Sequence, residues 1–377
     1  MLRIAWKFIK FDKAKSIGII TAIVISIFLI GQQLGLLFFL MGLMGNLVGN
    51  ADLQERDLWV IESQSKNINA INRIDSRLVQ EIASIPHVEK TIPVLLATAQ
   101  ATFHNGKTAA VTLVGTDAPG FIMGPSAERI SSGRLIDLGQ PLQVSAEFFN
   151  SKTWETELTI GKAIEINGKQ AKIGLITKGA QAFGASLMYT SMENARYFSG
   201  VSPTEINLIL VRLTEGQDKV AMQEKLQQLF PNLKAWDPVK LKNSTVKEIL
   251  ITSNMGMSFG TLVIFAMISG FFIIGLTLYS SALDRIKDYG TLKAIGAKKS
   301  YVNRLIIAQA FLYAFIGYII AMALIYGFKM GVANSGLIIE ISFPFAFFLL
   351  FITMLISIGG SLFAVRKITK LEPASVF

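Results

Sequence analysis

Apolar and polar positions divide the chain into two kinds of sequence. Residues 17–48, 249–283, 302–328 and 343–365 are long, almost uninterrupted apolar runs, and about 20 such residues suffice for a helix to cross the hydrocarbon layer. Residues 50–247 instead alternate in polarity, with turn residues and dense charge between short apolar stretches. The pattern predicts an α-helical membrane protein with four transmembrane helices. A large α/β extracytoplasmic domain is inserted between the first and second. The first run is too long for a signal peptide and has no small-residue cleavage site after its opening apolar positions, so it is read as a retained helix.

Inside the polar region the periodicities are specific. In "DSRLVQEIASIP", Leu78, Ile82 and Ile85 recur at helical spacing, with Asp75 or Ser76 as the expected cap and Pro86 as the stop. Alternating segments flank Asn105-Gly106 and again Asn167-Gly168, the strongest short signal for a hairpin. Later "EINLILVRL" reads as a strand, "DKVAMQEKLQQLF" as a helix with Val220, Leu226 and Leu229 on one face, and "NLKAWD" as a strand. The expected architecture is two β-α-β units, about 50–118 and 203–243, with a β-rich insertion at about 119–202.

The first membrane helix is longer than its task. At 1.5 Å per residue, residues 16–49 reach about 50 Å against a hydrocarbon core of about 30 Å. With the polar helical segment that leads into the second run, the excess predicts a stalk. Gly31 and Gly35 form a Gly-x-x-x-Gly pair that lets another helix approach closely.

Composition and charge then fix class and orientation. The 377 residues are 51% hydrophobic and 16% charged, with a mean hydropathy of +0.49. The formal charge is +10, and the segment 51–250 contributes none of it, because its 21 Lys and Arg balance 21 Asp and Glu. The excess lies before the first run (Arg3, Lys7, Lys10, Lys13, Lys15), between the second and third (Arg285, Lys287, Lys293, Lys298, Lys299, Arg304) and after the fourth (Arg366, Lys367, Lys370). The positive-inside rule therefore predicts both termini cytoplasmic and the large domain outside. The basic balance is topological and no nucleic-acid partner is expected.

Candidate chemistry is sparse. There is no cysteine, hence no disulfide framework. His87 and His104 lack neighbours at metal-ligand spacing, so no metal site is expected. No Ser-His-Asp order or Gly-x-Ser-x-Gly elbow supports a hydrolase. No apolar run has a charge in its middle, which argues against ion-coupled transport.

One charged segment, "DRIKDYGTLKAIGAKKS" at 284–300, separates the second and third runs. It is not a phosphate loop: Gly296 is followed by Ala297 rather than lysine, and Gly290 stands one residue too far upstream. It predicts a short amphipathic helix with Ile286, Tyr289, Leu292 and Ile295 at steps of three, a left-handed stop at Gly296, and Ser300 capping the next helix. Composition alone favours a connector lying on the headgroups over a docking element.

The stretch "DYGTLKAIGAKKSYV" resembles the coupling segment of FtsX/MacB-like ABC-transporter permeases, in which an acidic residue and its neighbour precede G-x-x-[KR]-A-[IL]-G-A. The order of parts resembles that family throughout, from the basic amphipathic start "LRIAWKFIKFDKAK" to the tail "LEPASVF". "RDLWVIESQSKNI" is most similar to DevC-type permeases. Asp288 replaces the more usual glutamate, and Gln309 stands where glutamate is often found. On this pattern residues 1–15 form a cytoplasmic amphipathic helix, 16–49 the first span with its stalk, and 50–243 a MacB-like periplasmic core domain. The remainder divides into 244–283 (stalk and second span), 284–300 (coupling helix), 301–328, a loop at 329–342, 343–366 and a tail at 367–377.

The resemblance implies the permease subunit of an exporter in the bacterial inner membrane, not an enzyme by itself. A separate ABC ATPase would hold ATP and Mg, and this chain would hold no cofactor. Two copies of the chain would pair with two ATPases and act through a periplasmic membrane-fusion adaptor and an outer-membrane channel. The ATPase would be met by Arg285, Asp288, Tyr289, Gly290, Leu292, Lys293, Ala294, Ile295, Gly296 and Ala297, with Leu371, Glu372, Pro373 and Phe377 as a second contact. An FtsX-like signalling scaffold controlling a cell-wall hydrolase, or a lipoprotein-releasing permease, is the alternative within the same family.

Overall fold

A computed structural model of the chain describes residues 2–11, 13–184, 186–284 and 286–369. Helices α1 (Leu2–Phe11), α2 (Lys13–Met44) and α3 (Asn46–Gly49) open it. Strands β1 (Asp57–Glu62) and β2 (Ile74–Asp75), helix α4 (Leu78–Ala83), and strands β3 (Val88–Thr102) and β4 (Thr108–Thr116) follow. Next come β5 (Ile130–Gly133), β6 (Gln143–Glu147), α5 (Asn150–Thr153), β7 (Ala163–Ile166), β8 (Lys169–Thr177), β9 (Ser186–Ser191) and α6 (Met192–Ser199). Then β10 (Glu205–Ile206), β11 (Leu208–Leu213), α7 (Lys219–Leu229) and β12 (Leu233–Trp236) complete the sheets. Helices α8 (Pro238–Thr252), α9 (Met255–Asp284), α10 (Ile286–Ala294), α11 (Lys299–Val332) and α12 (Phe343–Thr369) end the chain. These elements form two compact units, one of Leu40–Met255 with Asn334–Gly336 and the other of the remaining helical segments.

In the α/β unit, β1 lies between β11 and β12 and β11 between β1 and β3, all antiparallel. Strands β1 and β3, joined through α4, are therefore parallel with β11 between them, and β11 and β12, joined through α7, have β1 between them. This is the split β-α-β arrangement. One sheet face, with Leu58, Val60, Ile209 and Val211, packs on α4 and α7; the other, with Trp59, Ile61, Leu208 and Leu210, packs on Leu47, Val48 and Leu241. The register sets Asp57 opposite Arg212, whose guanidinium donates to both carboxylate oxygens at 2.7 and 2.8 Å with Asp57 fully buried.

Both hairpin turns form where Asn-Gly predicts them, and Asn167 and Gly168 have φ of 50° and 75°. Three details differ from the sequence reading. Asp75 belongs to β2 and its carboxylate accepts the backbone N–H and side chain of Arg77, so α4 starts without a side-chain cap. On α7 the buried residues are Met222 and Leu226, one turn apart, while Val220 and Leu229 are exposed. Val220 and Leu226 are six residues apart and so point about 120° apart around the axis. Finally, β3 and β4 belong to the insertion as much as to the first unit: Ala97, Ala99, Ala101, Val111 and Leu113 lie in one core with Val144, Ile164 and Ile173.

The insertion also holds α6, which packs on β4 where Gly115 admits Ala195. Ser191 caps α6 by accepting from Asn194 N–H, and Gly200 ends it at φ 70°. At the end of β6 the fully buried Glu147 carboxylate accepts from Thr177 Oγ1 (2.8 Å), Gly179 N (2.8 Å), Ala180 N (2.9 Å) and Phe149 N (3.4 Å). Burial nevertheless pushes its pKa up.

Among the described residues four helices are long and apolar enough to cross a membrane: α2, α9, α11 and α12. Ile19, Ile23, Ile27 and Ile30 of α2 meet Ile274 of α9, Ala321 and Ile325 of α11, and Leu349 and Ile352 of α12 in one core. Glycines set the closest approaches. A Cβ on Gly360 would lie 3.0 Å from the backbone of Gly275, and one on Gly317 would lie 2.5 Å from Ile23. The apolar run predicted to begin at 249 is divided between helices. Helix α8, capped by Asp237 through the N–H groups of Val239 and Lys240, ends at Thr252; Asn254 turns left-handed at φ 54° before α9 starts.

Candidate functional site

The segment between α9 and α11 is built as an elbow. Helix α10 ends in a Schellman motif: Ala297 N–H donates to Leu292 O at 2.9 Å, Ile295 N–H to Thr291 O at 3.0 Å, and Gly296 has φ 98°. A Cβ at Gly296 would meet nothing within 4 Å, so glycine is required there by conformation rather than by space. Lys298, extended, precedes α11 at the cap position, and Tyr301 N–H donates to Lys298 O at 2.8 Å. Ser300 therefore lies in the first turn of α11 and is not its cap.

The apolar positions of α10 do not share one fate. Leu292 is half-buried against Ala5, Val302, Leu305 and Ile306, with Phe8 and Tyr279 in the same cluster. Ile295 is 77% exposed. Ile286 is half-buried, Gly290 buried, and Lys287 and Asp288 exposed. Leu292 thus anchors the elbow to the chain's own helices, and among the described side chains of α10 and its stop Ile295 is the most exposed apolar one. A hollow of about 550 Å³ lies beside it, lined by Leu292, Ile295, Gly296, Tyr301 and the cations Lys298 and Arg304. At the other end, Lys15 Nζ and Asp284 Oδ2, 2.9 Å apart, link the start of α2 to the end of α9.

The remaining predicted residues divide as follows. Tyr289, Lys293 and Ala294 lie on α10 and Ala297 directly follows its Gly296 stop. Arg285, Leu371, Glu372, Pro373 and Phe377 lie outside the described residues. Gly31 faces Ile325 and Leu349, and Gly35 faces Ile339, so both accept side chains of the same chain. Sequence reasoning missed the anchor role of Leu292, although the apolar positions Ala5, Phe8 and Ile9 on the opening helix signalled a face in need of a partner. It also missed Gly275 with Gly360 as a close approach, because neither makes a Gly-x-x-x-Gly pair.

Two family models match: the MacB-like periplasmic core domain over residues 16–229 and the FtsX-like permease C-terminal region over residues 260–373. No curated protein matches. Similar solved structures include the periplasmic region of MacB from Actinobacillus actinomycetemcomitans, 12% identical, with a TM-score of 0.38, covering 50% of this chain and 92% of that one. The extracellular domain of the ABC-type transporter YknZ from Gram-positive bacteria is 14% identical, with a TM-score of 0.36, over 48% of this chain and 100% of that one. A permease domain from Porphyromonas gingivalis is 14% identical, with a TM-score of 0.34, over 48% and 88%. With one model matching more than half of the chain and the other matching most of α9, the elbow and the last two apolar helices, the chain belongs to the FtsX/MacB-like family of ABC-transporter permeases.

Proposed function

We propose that this chain is the membrane subunit of an ABC exporter and passes motion from a separate ATPase to its own α/β domain. Permeases of this family work with an ABC ATPase, and the observation that carries the contact to α10 is the elbow: an exposed Ile295 on a helix end fixed by Gly296 and seated on Leu292. A stiff end with a free apolar side chain transmits a push that a loose connector would absorb. ATP and Mg belong to the ATPase, and this chain has no phosphate loop of its own. The exposed positions within 285–297, Ile295 foremost, form the ATPase-facing surface with the tail at 371–377, while Leu292 and Gly290 hold the segment to the chain's own helices, and two copies of the chain pair with two ATPases.

Orientation follows the charge: α10 and both ends are cytoplasmic, and the core domain at 50–243 is in the periplasm of an inner-membrane protein. There it drives efflux through a membrane-fusion adaptor and an outer-membrane channel, as in a DevC-type exporter. The experiment is co-purification of the ATPase with single variants of the full chain. Ile295→Asp should lose the ATPase while membrane insertion and helical content stay normal, because a charge replaces an apolar contact without touching the chain's own packing. Leu292→Asp should also lose it, but with altered packing of α10. Undiminished ATPase recovery and turnover with Ile295→Asp would make the elbow only a connector. A cell-wall hydrolase recovered with the chain in place of an adaptor would turn the periplasmic half of the proposal into a signalling scaffold.

A further inference from the structure

Helix α1 has two apolar sides, and among the described residues only one is packed. Ala5 and Ile9 are buried and Phe8 half-buried, packed toward Val302, Leu305 and Ile306 of α11 and the start of α2. The position is pinned by Ser16, whose hydroxyl donates to Ile9 O at 2.8 Å and lies 2.8 Å from Tyr313 Oη. Away from that contact, Trp6 is 43% and Phe11 90% exposed, and Ile4 is also exposed. Arg3, Lys7 and Lys10 are exposed around them, and no acidic residue occurs on the helix. Lys10 Nζ lies 5.6 Å from the centre of the Trp6 ring.

Soluble protein surfaces seldom leave tryptophan and phenylalanine free beside three cations, whereas the boundary between headgroups and acyl chains suits that mixture: aromatic rings enter the boundary and cations meet phosphate. Helix α1 has the right place for this. The apolar span α2 begins at Lys13, two residues after α1 ends, so α1 stands at the end of a span, at headgroup level. We propose that α1 is a binding site for anionic phospholipid headgroups, held by Arg3, Lys7 and Lys10 with Trp6 and Phe11 inserted beneath them. Charge favours anionic over zwitterionic lipid, since Arg3, Lys7 and Lys10 share α1 with no acidic residue between Leu2 and Phe11. Because Ala5 and Leu292 share one packed cluster, lipid held by α1 bears on the support of the elbow. The binding itself needs no ATPase, so its test is independent of the function proposed above.

The full chain in detergent, titrated with equimolar phosphatidylglycerol and phosphatidylcholine, is read by native mass spectrometry for the ratio of the two lipids retained. Wild type should prefer phosphatidylglycerol. Lys7→Gln with Lys10→Gln should reduce that preference roughly 25-fold, about fivefold for each charge removed. Lys298→Gln with Arg304→Gln, on the other basic surface, should leave most of it. Equal retention of both lipids by wild type, or an unchanged preference in the Lys7/Lys10 variant, would overturn the proposal. So would loss of the preference only in the Lys298/Arg304 variant. The chain has no cysteine, so a spin label on Phe11→Cys gives a second readout in phosphatidylglycerol vesicles. The label should report the headgroup–acyl boundary. A label in bulk water, or one that leaves lipid for protein when the ATPase is added, would show that this face serves something else.

Discussion

The two units differ in the polar groups they bury. In the α/β unit, Asp57 and Arg212 come from strands far apart in sequence and form a two-point ion pair in the core, and Glu147 is held by donors from other segments. In the helical unit the buried polar groups include hydroxyls that turn back on their own helix: Thr353 donates to Leu349 O and Ser361 to Ile358 O, each at 2.6 Å. In that unit close contact comes from glycine against backbone or isoleucine. The difference follows from the solvent each unit is built for. In water, apolar burial drives collapse, so a few paired charges can be carried inside and specify the register. In lipid that drive is absent between helices, and shape and small residues must supply the attraction.

The largest effect should come from breaking the buried pair. Asp57→Ala leaves the Arg212 guanidinium in the core without its carboxylate, a loss of about 3–5 kcal/mol in the α/β unit. The double variant Asp57→Leu with Arg212→Met, which removes both charges, should recover a large part of it. Denaturant unfolding of the full chain in detergent, followed by tryptophan fluorescence, to which Trp59 and Trp154 buried in the α/β unit contribute, measures both. If the single and double variants are equally destabilised, the pair is not the specifying feature, and the contrast with the helical unit loses its strongest example.

Glu147 tests the same unit through pH. Its neighbours on every side within hydrogen-bond reach are donors, so Glu147→Gln replaces an acceptor by an amide and leaves one or more buried N–H groups unpaired, at about 1–3 kcal/mol. The pH dependence has a definite sign. The folded pKa is raised above the ordinary 4.5 by burial, so the folded state holds the proton more tightly than the unfolded state does. The contribution of Glu147 to stability therefore falls as pH rises from about 4.5 through the raised value, then levels off. The glutamine variant has no such titration. The advantage of wild type should shrink with rising pH across that window, and an advantage that grows instead would mean that the donors outweigh the burial.

Much of this was legible in the chain, and unevenly so. The spans, the hairpins at Asn105-Gly106 and Asn167-Gly168, and the left-handed stop at Gly296 are local signals, and the structure has them in place. The phase of α7 was not legible, since Val220, Met222, Leu226 and Leu229 are all apolar and only the sheet decides which two turn inward. Helix α6 was passed over among strands, although Ser191 three residues before Asn194 and Gly200 at its end are ordinary cap signals. At the elbow, the step of three made Leu292 and Ile295 look equivalent. Their different roles depend on α1 and α11, which are distant in sequence.

The smallest effects probe the glycines, and here the sign carries the information. A methyl at Gly360 meets the backbone of Gly275, which cannot rotate away as a side chain can; Gly360→Ala should cost about 1 kcal/mol in the helical unit. A methyl at Gly42, near the end of the same helix as Gly31, meets nothing within 4 Å, so Gly42→Ala should gain about 0.5–1 kcal/mol from the chain's lower freedom before folding. Unfolding of each variant in mixed micelles, followed by helical circular dichroism, gives the two signs side by side. A loss at Gly42 comparable to that at Gly360 would mean that its open side is covered in the assembled state, and crosslinking between Gly42→Cys copies would then show whether a second copy of this chain is what covers it. A gain there, beside a loss at Gly360, would place the glycine-dependent packing where α9 and α12 meet.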